Sequence, residues 1–433
     1  MSYGKFMRSL AYSLPLFFLM SSCSKNERLP GHREDLLKMM PDETQILEND
    51  DTPAVLDPEK NYTEYPQPFL NESHSGAPHQ FSLNPSLIWS EKLDFEGNRV
   101  LQNTASPVAA EGKIFCADAA GIIYALDRKT GKRIWRVSTN LIGKDGQTGC
   151  ALAYDSGKLI VSNSFSECFC LESKTGKILW RIKLPATCKG DGITIADGKA
   201  FILCANSTIN AINLENGRTL WTHSGMISDS IFIGSAGACY SDGVLFVAYP
   251  SGEIFALQSE NGTVLWDNMI SKFSLTEAAR ARTHIRACPV VKEGRLYVVS
   301  SSGQITVFDA NTGIEIWSKN VGGLQTPIVS GDSVFVHSYN EELLCLNKDT
   351  GALRWKKSFS SGEETDFADD WRGQILINGH IASVSPAGTM SFVSALDGRV
   401  VKNIDVGAGA LNPIIADEVM YIQNNDSNIS AYK

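Results

Sequence analysis

The apolar and polar positions of this chain follow a pattern that repeats. Counting back from a recurrent glycine, an apolar residue stands eight positions earlier: Ile123, Cys168, Ile209, Ile254, Ile305 and Leu343. A smaller apolar residue stands six earlier, at Ala125, Cys170, Ala211, Ala256, Val307 and Cys345. A large one stands five earlier, at Leu126, Leu171, Ile212, Leu257, Phe308 and Leu346, followed by a polar residue. Four residues after each glycine comes a tryptophan: Gly131/Trp135, Gly176/Trp180, Gly217/Trp221, Gly262/Trp266, Gly313/Trp317 and Gly351/Trp355. A degenerate copy has Gly398 followed by Lys402. Each copy predicts a strand, a tight turn closed by glycine, and a strand carrying the indole. The small residue leaves room for an indole from elsewhere.

A second hairpin lies upstream in each copy, as in Pro107-Val108 with Gly112-Lys113-Ile114-Phe115. The repeat is therefore four antiparallel strands, the blade of a β-propeller. The ends predict the closure. Ser427–Lys433 matches a third strand with Ile429 and Ala431 in register, while Trp89, in Leu87-Ile88-Trp89-Ser90, has no blade before it. The expectation is an all-β, eight-bladed propeller over residues 81–433, its last blade shared by both termini. Trp89, Trp135, Trp180, Trp221, Trp266, Trp317 and Trp355 are assigned to packing between blades rather than to ligand stacking.

The first 80 residues have no such pattern. Lys5 and Arg8 precede an apolar stretch, Leu10–Met20, too short to span a membrane comfortably. Met20-Ser21-Ser22-Cys23 resembles a lipobox, although Met20 stands where leucine is usual. That resemblance implies a signal peptide over 1–22 and lipidation (palmitate included) of Cys23. Ser24 matches the sorting pattern for outer-membrane delivery. Residues 23–80, rich in Pro, Asn, Asp, Glu and Ser, read as lipid anchor and flexible tether with a short helix near Arg33–Met40. The aromatics Tyr62, Tyr65 and Phe69 leave open that the segment packs along the propeller.

Composition narrows the function. Forty-eight acidic residues against thirty-nine basic give a net charge of −9, which argues against nucleic acid as a partner. Of ten cysteines, removing Cys23 leaves nine, so at least one is unpaired or intermolecular. Most occupy apolar strand positions, where cysteine acts as a small hydrophobe. No close-spaced cysteine or histidine ligand pattern occurs, and the acidic stretch Glu363, Glu364, Asp366, Asp369 and Asp370 reads as a solvated loop rather than a calcium site.

Ala125-Leu126-Asp127-Arg128-Lys129-Thr130-Gly131-Lys132-Arg133-Ile134-Trp135 carries in full a motif similar to the repeat of quinoprotein-type propellers. With the lipobox and the tether, the whole layout resembles the BamB family of lipoproteins, part of the outer-membrane β-barrel assembly machinery. The resemblance implies a scaffold without cofactor, facing the periplasm, that binds the POTRA domains of a BamA-like barrel protein and meets other subunits of that machinery. The dehydrogenases of the same superfamily use an adjacent pair of cysteines beside a quinone and calcium. No two cysteines are adjacent here. A propeller binding a glycan or another lipoprotein is a third reading.

By position, the family's partner-binding loops correspond to Ile227–Ser235 and Thr276–Arg286. Ile231 and Phe232 are candidate apolar anchors. Arg280, Arg282, His284 and Arg286 alternate with Ala281, Thr283 and Ile285, a basic stripe if extended. Docking to an acidic surface and a solvated loop edge both remain open for it. The acidic residues that the family uses near this place are absent.

Overall fold

The computed structural model describes residues 47–95, 105–138, 149–188, 190–227, 237–270, 285–301, 303–338, 341–359 and 371–433. Its strands form eight four-stranded sheets, and among the described residues there is no helix. Blade one is β2 (Val108–Ala110), β3 (Lys113–Ala117), β4 (Ile122–Asp127) and β5 (Arg133–Ser138), paired antiparallel in chain order. Blades two to seven repeat this plan, starting from inner strands β6 (Cys150–Asp155), β10 (Ile193–Ala196), β14 (Cys239–Ser241), β18 (Val290–Lys292), β22 (Ile328–Ser330) and β26 (Arg372–Ile377). In blade eight, β30 (Ile414–Ala416), β31 (Val419–Gln423) and β32 (Asn428–Tyr432) are completed by β1 (Leu87–Lys92). β1 pairs with β32 through Trp89↔Ala431 and Glu91↔Ile429. Inner strand β2 touches both β30 and β6, so the ring closes.

The repeat motif is legible in the hydrogen bonds. At the β4–β5 turn, Asp127 Oδ1 accepts from the Thr130 amide at 2.8 Å and its hydroxyl at 2.7 Å, and the Gly131 amide donates to the Asp127 carbonyl at 2.9 Å. Asp309 and Thr312 repeat this at 2.9 and 2.8 Å. Gly131 closes the turn at φ 71°, in the left-handed region that glycine enters without a Cβ penalty.

The small residue proves to face an indole of its own blade, not one from elsewhere. Ala125 stands opposite Trp135, Cys170 opposite Trp180, Ala211 opposite Trp221, and Ala431 opposite Trp89. Each indole then reaches across to the following blade. A Cβ on Gly313 would lie 2.6 Å from the Trp266 ring, and Trp266 Nε1 donates to the Ala310 carbonyl at 2.9 Å. The same pair of contacts recurs from Trp89 on Gly131 and Arg128 round to Trp355 on Gly398 and Ala395. The tryptophans are thus inter-blade packing residues that also satisfy a turn carbonyl. Lys402 breaks the series for a topological reason. Its indole would have to sit on the turn before the last strand of blade eight, and there β32 and β1 lie side by side with no turn joining them. Lys402 Nζ donates to Asn84 Oδ1 at 2.7 Å, and Phe392 fills the place of the small residue opposite it.

Residues 45–433 form one compact unit, so the expected domain boundary at residue 80 falls within a packed region. The described part of the expected tether, 47–80, lies against the propeller, which is the alternative that Tyr62, Tyr65 and Phe69 had left open. This strap contacts all eight blades. Asp50 N donates to Leu353 O (2.8 Å) and Asp332 N to Val55 O (3.0 Å) in blade six. Asp417 N donates to Tyr62 O (2.8 Å) in blade eight, and Tyr65 and Ala109 exchange bonds of 2.7 and 2.8 Å in blade one. Pro66, Gln67, Glu72, Ser73 and His79 then engage blades two, three, four, five and seven. The strap turns over the channel axis at Phe69 and Leu70, both left-handed at φ 56° and 79°. Its polar composition hides this role because most of its contacts use backbone groups, which any side chain supplies. The inner strands end on this face. They begin on the opposite face, where the last strand of each preceding blade also ends.

Two strap histidines are buried, His74 with Nδ1 donating to the Pro289 carbonyl at 2.8 Å and His79 between the rings of Tyr62 and Tyr65 at 5.0 and 5.9 Å. Burial holds each down to about 4 from the usual 6.5. The folded state therefore binds fewer protons, and its stability is complete above pH 6.5 and declines as pH falls towards 4. The expected loss is roughly 3 kcal/mol per histidine once both states are protonated. His79→Phe keeps a ring in place and should flatten part of the acid side of a plot of melting temperature against pH. A curve parallel to that of the parent chain would refute this.

The nine cysteines beyond Cys23 are buried thiols. Burial pushes the thiols of Cys170 and Cys345 up to about 12. Within the described residues, no helix is long and apolar enough to cross a membrane.

Candidate functional site

Two places remain for function once the repeat residues are assigned to packing: the channel axis and the loops between blades. Backbone runs into the channel at the start of each inner strand. Ser106, Asp191, Thr326 and Asn412 each stand two residues before such a strand, β2, β10, β22 and β30 respectively, and Gln374 lies within β26. These five side chains line a cavity closed on the strap side by Tyr65, Pro68 and Phe69. Ser106 Oγ donates to Asp191 Oδ1 at 3.4 Å and Asn412 Nδ2 to Oδ2 at 3.3 Å. Both contacts are long. Desolvation dominates, and it pushes the Asp191 carboxyl up to about 6, with Ser106 and the charge of Arg286 acting the other way. The side-chain amide of Gln374 is buried with neither its nitrogen nor its oxygen hydrogen-bonded.

Of the sequence candidates for partner binding, Arg286 is the one the structure describes. It is half-buried beside the buried Ile285, and its charge acts on Asp191. Ile231, Phe232, Arg280, Arg282 and His284 lie outside the described residues, as do Cys23, the helix expected near Arg33–Met40 and the acidic stretch 363–370. The first of the two loops is described at its root. There Met226 and Ile227 leave blade three 51% and 83% exposed, and Ile227 is the most exposed of the large apolar residues among those described. Beside them, His223 Nδ1 and the Tyr249 hydroxyl are 2.9 Å apart, and Glu253 Oε2 accepts from Ser251 Oγ at 2.8 Å.

Sequence reasoning did not find the axial residues. They lie just before or at the start of the inner strands, where the copies agree least, so an alignment anchored on Gly and Trp passes over them. A signal was present in Lys189-Gly190-Asp191-Gly192, an acidic residue between glycines immediately ahead of an apolar strand.

The eight blades and their Trp-closed repeat define a β-propeller of the PQQ type. The family model described as outer membrane protein assembly factor BamB matches residues 119–357, more than half of the chain, and the chain belongs to that family. BamB of Salmonella typhimurium is 25% identical over 393 residues, covering 81% of this chain and 89% of that protein. The crystal structure of BamB from Moraxella catarrhalis superposes with a TM-score of 0.70 at 17% identity, over 81% of this chain and 100% of that one. The quinohemoprotein alcohol dehydrogenase of Comamonas testosteroni shares the fold at a TM-score of 0.64 and 13% identity, over 86% and 80%. At such identities the structural likenesses speak for the fold alone.

Proposed function

We propose that this protein is a non-enzymatic scaffold that assists the folding and insertion of outer-membrane β-barrels. On this reading it is a lipoprotein with a cleaved signal peptide, anchored through Cys23 and facing the periplasm. It docks to the POTRA region of a BamA-like barrel protein and to other subunits of the assembly machinery. The observation that carries the reading is membership of the assembly-factor family, supported over most of the chain by relatives of that name. The docking surface is the loop face. The strap takes up the opposite face at every blade, and the exposed step Met226–Ile227 leads directly towards Ile231 and Phe232. An apolar anchor beside a basic stripe suits a partner surface that is acidic at its rim.

The test is affinity capture of the full chain from detergent-solubilised membranes, with partners identified by mass spectrometry. Barrel-assembly subunits are expected as the main partners. Reversing the charge of Arg280 and Arg282 to Glu should reduce recovery of the barrel protein by about tenfold, the equivalent of one to two lost charge contacts. Recovery equal to that of the parent chain would remove these two residues from the interface.

A further inference from the structure

The axial cavity has features that packing does not require. The charged group of its wall is the Asp191 carboxylate, which among the described residues accepts two long hydrogen bonds and lies in the field of Arg286. Facing the same cavity is the Gln374 amide, buried and without a partner on either atom. Native proteins rarely leave such groups unsatisfied, and a buried carboxylate short of counter-charge calls for a cation or a donor. The remaining polar wall, Ser106, Gln325, Thr326 and Asn412, is neutral. Thr326 Oγ1 accepts from the Cys288 amide at 2.9 Å.

Size limits what can enter. The cavity leaves about 20 Å³ for the centre of a water-sized group, enough for one or two of them. An apolar ring or a sugar is too large. Among the described residues, no three His, Cys, Asp or Glu side chains are grouped to hold a metal ion, and a site with a single carboxylate is a poor match for a divalent cation. A primary ammonium group fits on three counts. It is the size of a water, it carries a charge opposite to that of Asp191, and its three N–H donors match a carboxylate, an amide oxygen and a hydroxyl.

We propose that the strap-capped axial cavity is a binding site for a primary ammonium group, with Asp191 as counter-ion and Gln374 Oε1 as a further acceptor. Two sources share this chemistry, a free small amine and the tip of a lysine side chain from another polypeptide. The strap forms one wall of the cavity through Tyr65, Pro68 and Phe69.

The experiment follows the thermal unfolding of the full chain at about pH 8, where Asp191 is ionised and alkylammonium ions keep their charge. Methylammonium chloride is titrated against tetramethylammonium chloride at equal ionic strength, and in parallel an acetylated, amidated Gly-Lys-Gly peptide against its norleucine analogue. A saturable rise in melting temperature with methylammonium but not with tetramethylammonium supports a free amine as ligand. A rise with the lysine peptide alone supports a partner's lysine. No rise with either probe overturns the proposal. Asp191→Asn is isosteric and should weaken the response by about tenfold or more. Gln374→Leu should raise the melting temperature without ligand, by removing an unsatisfied amide, and should diminish the response to it. A Gln374→Leu chain that is less stable than the parent would show that the amide has a partner, and would overturn the assignment.

Discussion

A chain ending at Asp426 is expected not to reach the native propeller. The deleted segment contains β32, the central link of blade eight, hydrogen-bonded to β1 on one side and β31 on the other. Ile429 and Ala431 are fully buried, and the last residue of the chain exchanges backbone bonds with Ser86, at 2.7 and 3.0 Å. Without β32, β1 has no strand to pair with. Trp89 then loses the support that places it over Gly131, and the contact between the last blade and the first is lost as well. The cost is that of a whole strand: two lost ladders, one exposed edge on β31 and the apolar burial of two core positions. Such a sum exceeds the roughly 5–15 kcal/mol by which domains are usually stable. Circular dichroism and melting of the truncated chain provide the check, and an unchanged melting temperature would show that the ring does not depend on this clasp.

The second large effect separates two glycines with the same backbone. Gly313 and Gly294 are both left-handed, at φ 72° and 74°. A Cβ on Gly294 would meet nothing within 4 Å, whereas one on Gly313 would lie 2.6 Å from the indole of Trp266. Gly294→Ala should therefore cost only the left-handed strain, about 1 kcal/mol. Gly313→Ala should add about 1–3 kcal/mol for pushing the indole off its seat. Trp266→Ala should cost about 3–5 kcal/mol by emptying it. Once the ring is gone, Gly313→Ala has nothing to strike, so the double variant should lose less than the sum of the two. Strict additivity in urea denaturation would contradict the inter-blade contact.

The fold was legible in the sequence because a propeller writes its register repeatedly. Gly131, Asp127 and Trp135 each have one local physical job, a left-handed turn, its side-chain cap and an inter-blade seat, and the same job recurs in the following blades. Even the composite blade could be read, because Trp89 lacked a blade and Ile429 lacked a tryptophan. The strap was not legible beyond the hint in its three aromatics. It is a single copy, its contacts are mostly through the backbone, and Gln67 and His79 look like ordinary solvated residues until their partners are known. Asp191 and Gln374 were missed for a related reason. They come together only when blades three and seven face each other across the axis, a separation of more than half the repeat array that no local pattern records.

The strap also decides how the protein carries load. Any pull on the chain upstream of residue 47 arrives first at Glu48 and Asp50: the Glu48 carbonyl accepts from the Leu353 amide at 2.8 Å, the Asp50 amide donates to the Leu353 carbonyl at 2.8 Å, and the Asp50 carboxylate meets the Arg354 side chain at 3.3 Å. From there the force passes along contacts with the other blades in turn before it reaches β1, the strand that closes the ring. Bonds arranged in series like this yield one at a time. The strap would peel away and lengthen while the clasp stayed shut, so tension on the N-terminal side is absorbed by a sacrificial length of chain rather than by the propeller itself.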